Sequence, residues 1–177
     1  MPKISPFSKI ISNLVLGCFF LCLAVLSGCG ASPVIKMPQA LPDIVKEYKS
    51  LKIYGINTGL VKTGIHVKQG DYVTIMASEK IDYRYSITTF SVDPEGVLFW
   101  QLGETGLDHV YSGGNIIKVG ESGTIYLKNM PGSVGGYFDV DFIIWKKEDP
   151  VLIGNFFNEL LSKDPRNRTL KKFADYF

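Results

Sequence analysis

The chain has 177 residues, 46% of them hydrophobic, with 19 Lys and Arg against 17 Asp and Glu. A balance this close to neutral excludes the basic footprint of a nucleic-acid binder. The three cysteines all fall before residue 30, which excludes a scaffold built on internal disulfides.

The first segment has the parts of a secretory signal. Lys3 and Lys9 give a positive start, and Ile10 to Leu26 give an apolar run broken only by Ser12, Asn13 and Gly17. A membrane span needs about 20 apolar residues, and this run is shorter and ends in small residues. Leu26-Ser27-Gly28-Cys29 resembles the lipobox of bacterial lipoproteins at all four positions. The resemblance implies that residues 1–28 are a signal peptide and that Cys29 becomes an acylated N-terminus. It also implies a place in the bacterial cell envelope. Gly30 after the cysteine resembles the outer-membrane pattern of Gram-negative lipoproteins. Loss of Lys3 and Lys9 leaves 17 basic against 17 acidic residues, and loss of Cys18 and Cys22 leaves one cysteine. One acyl chain binds a membrane reversibly, and several hold it firmly.

Residues 29–49 then read as a tether. Pro33, Pro38 and Pro42 recur through it and stiffen it. Either Asp43 caps a short helical turn through Ile44, Val45 and Tyr48, or the linker simply stays extended.

Residues 50–147 read as β. Leu51-Lys52-Ile53-Tyr54 is a strand-length run, and Thr63 to Val67 alternates. Gln69-Gly70-Asp71 is a turn. Tyr72 to Ala77 alternates, with Val73, Ile75 and Ala77 on one face and Tyr72, Thr74 and Met76 on the other. Ile81 to Phe90 holds a strand and a loop. Asp93-Pro94-Glu95-Gly96 is a turn, because Pro presets one dihedral and Gly accepts positive φ. Val97 to Leu102, Ile116 to Val119, Thr124 to Leu127 and Tyr137 to Trp145 complete the set. A long loop carries Asp108-His109, and a long turn runs from Asn129 through Gly135-Gly136. Short strands with regular turn signals predict a mainly β fold, an antiparallel jelly-roll-like sandwich. After it, residues 148–177 predict a short helical hairpin. Asp149-Pro150 places a cap before a first-turn proline, and Asp164-Pro165 starts the second helix. Leu170, Phe173 and Phe177 form an apolar stripe that anticipates a partner surface.

Two segments resemble the calcium-dependent galactophilic bacterial lectins. One runs from Thr63 to Ala77 and on to Asp82-Tyr83. The other is Gly120 to Ile125 followed by Asn129-Met130-Pro131-Gly132-Ser133. The resemblance covers about residues 55–147 and implies a galactose-binding-domain-like jelly roll. It maps the family's calcium-binding tyrosine onto Tyr83, its Asp onto Asn129 and its Thr onto Ser133. The sugar-contacting turn maps onto Asp93-Pro94-Glu95-Gly96. The family's paired asparagines have no counterpart, and its His and Gln of the sugar turn are absent. Calcium takes six to eight oxygen ligands with carboxylates among them, so these departures count against a calcium site.

Other chemistry is sparse. His66 and His109 are the only histidines, and no serine nucleophile elbow, paired histidine ligands or phosphate-binding glycine loop occurs. Asp139 and Asp141 alternate with Phe138, Val140 and Phe142, which reads as a solvated strand face or, less simply, as a cation site. Trp100, Tyr83 and Tyr85 are the aromatics available to a sugar ring, but Trp100 reads first as core packing, and Tyr83 and Tyr85, beside Arg84, are the ones placed at a loop rim. The expectation is a lipid-anchored, non-enzymatic module that binds carbohydrate or envelope glycan. Its ligand residues would be Tyr83, Asp93, Glu95, Asn129 and Ser133. The alternative is an assembly lipoprotein that docks a protein partner through the sandwich and residues 148–177.

Overall fold

A computed structural model describes residues 33–57 and 59–177. The lipobox and Cys29 lie outside the described residues. Among the described residues the fold is mainly β, with ten strands and two helices in the order β1 (Val45–Tyr54), β2 (Val61–Val67), β3 (Tyr72–Ser78), β4 (Ile81–Tyr85), β5 (Thr88–Val92), β6 (Leu98–Leu102), β7 (His109–Val110), β8 (Ile116–Lys118), β9 (Gly123–Asn129), β10 (Ser133–Trp145), α1 (Pro150–Lys163) and α2 (Arg168–Ala174).

β10 is the axis of the larger sheet. It pairs antiparallel with β1 along one side, and along the other Ser133 to Gly136 pair with β4 and Asp139 to Trp145 with β3. β8 extends the sheet beside β3, and β5 extends it beside β4. The second sheet has the order β2-β9-β6-β7. The alternation expected of β3 is realised. Val73, Ile75 and Ala77 enter the sandwich core with Phe138, Val140, Phe142 and Ile144 of β10. Met76 and Tyr72 point to the opposite side, where the Thr74 hydroxyl accepts a 2.9 Å hydrogen bond from the Trp145 indole.

That opposite side differs from expectation. It is not a solvated face: Asp139 and Asp141 are buried at 2% and 0% exposure. The face is covered by the helical hairpin and by the segment at Val34-Ile35. Ile153, Phe156, Phe157, Leu160, Leu170 and Phe173 pack there against Met76, Ile143 and Trp145. The apolar stripe of residues 148–177 therefore lies largely on the chain's own sheet, and an external partner is not what covers it. Val151 and Leu152 at its start and Tyr176 and Phe177 at its end stay partly open.

The described part of the expected tether, residues 33–49, also differs. Val34 and Ile35 are core residues, and β1 begins at Val45, so the proline-bearing segment is a strap across the sheet. Asp43 starts no helical turn, and the chain passes through it into β1. The strap lacks a neighbouring strand for its amides, so side chains take that role. The Ile35 N–H donates to Asp141 Oδ2 at 2.8 Å, and Asn167 Nδ2 donates to the Val34 carbonyl at 2.7 Å.

The hairpin follows its cap chemistry. Asp149 accepts from the Leu152 N–H at 3.0 Å, with Pro150 in the first turn. The second helix starts at Arg168 rather than at Pro165, because Asn167 caps it through the Leu170 N–H. In the same way β10 starts earlier than expected. Gly135 and Gly136 lie inside the strand and do not form a turn. Gly136 has φ +74°, and a Cβ there would sit 2.3 Å from the Lys80 carbonyl oxygen. The register to β4 shifts just before, between Ser133 and Gly135, and the glycine at 136 supplies the positive φ and the close approach to β4 that follow.

Candidate functional site

The five ligand residues expected from the sequence separate into two groups. Tyr83, Asn129 and Ser133 meet at the β9–β10 turn. Ser133 pairs with Tyr83 across β10 and β4. The Tyr83 hydroxyl donates to the Met130 carbonyl at 2.9 Å, and its ring stacks on Phe90 at 5.9 Å. Partial burial raises the Tyr83 pKa above the ordinary phenol value. Asn129 is 1% exposed and its amide donates to the Tyr54 carbonyl at 3.0 Å. The Ser133 hydroxyl donates to the Gly55 carbonyl. These bonds fasten the 54–57 loop to the β9–β10 turn.

This arrangement does not fit calcium. Tyr83, Asn129 and Ser133 bring no carboxylate, and the Asn129 and Ser133 donors hold backbone oxygens. One acceptor, Asn129 Oδ1, is buried without a hydrogen-bond partner, far short of the oxygen set the ion takes.

Asp93 and Glu95 lie in the β5–β6 turn and line a different groove, of about 800 Å³, beside Lys80, Arg168 and Lys172. Asp93 pairs with Lys80 at 3.4 Å, and Glu95 pairs with Lys172 of α2. Tyr83, Asn129 and Ser133 do not line it.

Asp139 and Asp141 are structural. Asp139 faces Lys52 at 3.6 Å, and that ammonium lies 3.7 Å from the centre of the Tyr137 ring. Asp141 accepts from the Tyr48 hydroxyl at 3.0 Å as well as from Ile35. Burial raises the Asp141 pKa, against hydrogen bonds that lower it. Burial likewise raises the Tyr48 phenol, with the Asp141 charge adding to the effect. Among the described residues no three His, Cys, Asp or Glu side chains gather as a cation site.

Two further cavities lie elsewhere, where the two sheets leave the sandwich open between β7 and β8. Asp108-His109, expected in a long loop, instead leads into β7, which pairs with β6 so that His109 lies opposite Trp100. Their rings stack at 4.3 Å and 19°. Both rings, with Ile117, line two adjoining cavities of about 370 and 500 Å³. Ile75 and Tyr111 complete the apolar wall of the first, and Asp108, Ser112 and Asn115 supply polar groups. Leu102, Lys118 and Glu121 line the second. Lys128 pairs with Asp108, and Asn115 donates to the Ser112 hydroxyl at 2.8 Å. The Tyr111 hydroxyl accepts from the Ala77 N–H at 3.0 Å, and burial drives its pKa well upward. That phenol is a fixed neutral part of the wall. Of the residues here, the sequence offers Trp100 first as core packing and second as a stacking aromatic, and His109 as one of two histidines. Their juxtaposition depends on the β6–β7 register, which carries no local signal.

No protein-family model matches the chain, and no curated protein matches it. Among solved structures the chain is similar to the EclA N-terminal domain, a PllA-like lectin. The two are 23% identical with a TM-score of 0.43, over 54% of this chain and 94% of that one.

Proposed function

We propose that this chain is a lipid-anchored envelope module, without catalytic activity, that binds carbohydrate in the trough between β7 and β8. The observation that carries the reading is the Trp100–His109 stack lining two adjoining cavities. A pyranose has an apolar C–H face and a rim of hydroxyls. An aromatic wall with a few polar groups around it matches both, and such concave, mostly apolar sites are where small ligands bind. The cell-envelope location rests on the resemblance of Leu26-Ser27-Gly28-Cys29 to a lipobox.

The chain has two tryptophans, and Trp145 is 1% exposed in the helix-covered core. Trp100 is therefore the fluorophore a trough ligand reaches. The test is a glycan array with the full chain in detergent, followed by titration of tryptophan fluorescence with each hit. A saturable change that disappears in Trp100→Ala, with calcium making no difference, is expected. An array blank with and without calcium, or hits that Trp100→Ala leaves intact, would sink the reading.

A further inference from the structure

The free edges of the two sheets are not alike. β1 carries Lys46, Glu47, Lys49 and Lys52 and has a register shift between Val45 and Glu47. β2 carries Lys62 and a register shift between Lys62 and His66. β8 has three residues, ending on Lys118, and β7 has two. Charge, bulges and shortness are the means by which proteins keep an exposed edge from pairing. β5 has none of them. It is Thr88-Thr89-Phe90-Ser91-Val92, uncharged, with unbroken register to β4 along all five residues. Its first four residues are exposed, as are Tyr85 and Ile87 at the hairpin tip, at 79% and 98%.

We infer that β5 is a self-association edge, at which a second copy of this chain adds its own β5 antiparallel across a twofold axis through Phe90. The register supports this choice of partner. A twofold at Phe90 sets Phe90 against Phe90, Thr89 against Ser91 and Thr88 against Val92 of the second copy. Aromatic pairs and hydroxyl pairs are favourable directly across an antiparallel ladder, and no like charges meet. The hydrogen-bond parity agrees as well. β4 and β5 join through the two residues Ser86 and Ile87, with Ser86 at φ +56°. In such a hairpin the pair flanking the turn is hydrogen bonded, so Thr88, Phe90 and Val92 point their amides at β4. Thr89 and Ser91 then point theirs outward. Opposed as Thr89 to Ser91 of the second copy, they form about four ladder hydrogen bonds, with Phe90 at the close, non-bonded central pair. Since Phe90 already stacks on Tyr83, the pairing builds a four-ring ladder across both copies. An isologous contact of this kind closes at two copies and does not propagate.

The test is the mass of the full chain in detergent by sedimentation equilibrium, for wild type, Thr89→Pro and Phe90→Lys. Proline at Thr89 removes an outward N–H and leaves the β4 ladder whole, whereas Thr88→Pro removes an inward one. The wild type is expected as a dimer. Thr89→Pro and Phe90→Lys are expected to weaken it by about tenfold or more with unchanged circular dichroism. Thr88→Pro is expected to disturb the fold itself. A monomeric wild type, a dimer that survives both edge variants, or recovery of β5 paired only with a different protein would overturn the inference.

Discussion

The two faces of β10 are buried to the same degree by different means. On one face Phe138, Val140, Phe142 and Ile144 enter an apolar core shared with Ile65, Val67, Leu98, Ile125 and Leu127 of the second sheet. On the other, Asp139, Asp141, Ile143 and Trp145 lie beneath the strap and the hairpin. The second sheet satisfies its own amides through its ladders. The strap does not, so the face beneath it has to supply an acceptor, and Asp141 is that acceptor. A buried carboxylate here is a consequence of covering a sheet with irregular chain.

The comparison is sharpened most by truncating one aromatic on each side. Phe142 and Phe157 are 1% and 0% exposed. Phe142→Ala and Phe157→Ala are each expected to cost about 3–5 kcal/mol. If both covers belong to one cooperative unit, urea unfolding of each variant stays a single transition by fluorescence and circular dichroism. A separate early transition in Phe157→Ala alone would make the hairpin an appendage. A smaller effect follows from the strap. Ile35→Ala is expected to cost about 2–5 kcal/mol, measured as a shift in urea midpoint at constant slope. A neutral result would return the segment to the status of a loose linker.

The smallest effect concerns charge. Burial raises the folded-state pKa of Asp141 above that of the unfolded chain. The folded protein therefore holds the proton more tightly, and stability falls as pH rises from the ordinary carboxylate value through the raised one. Asp141→Asn keeps an oxygen for Ile35 and Tyr48 and removes the titration. Relative to wild type, the variant should gain stability across that window and hold the gain above it. Urea midpoints from acid to neutral pH measure the difference, and a difference independent of pH would refute the argument.

The sandwich was legible because period two in β3 and β10 needs no partner to be seen. The helices were legible from Asp149-Pro150 and their apolar spacing. What escaped had its cause outside the local pattern. The β4–β5 hairpin turns at Ser86-Ile87, with no glycine, asparagine or proline to announce it. Asp-Val-Asp reads as a wet face until β1 is extended back to Val45. Then Tyr48, Ser50 and Lys52 fall in phase opposite Ile143, Asp141 and Asp139, and that in-phase run was the available signal. The trough escaped too: Trp100 reads first as core, and its stacking on His109 depends on a strand of two residues.

The strap also fixes a height. As a free linker from Cys29 to residue 50, the chain would let the domain range ~70 Å from its anchor. With the fold beginning at Val34, the same anchor leaves five residue steps, or ~17 Å. On the lipid-anchor reading the domain rides close against the bilayer, and any glycan it holds lies within reach of the headgroups.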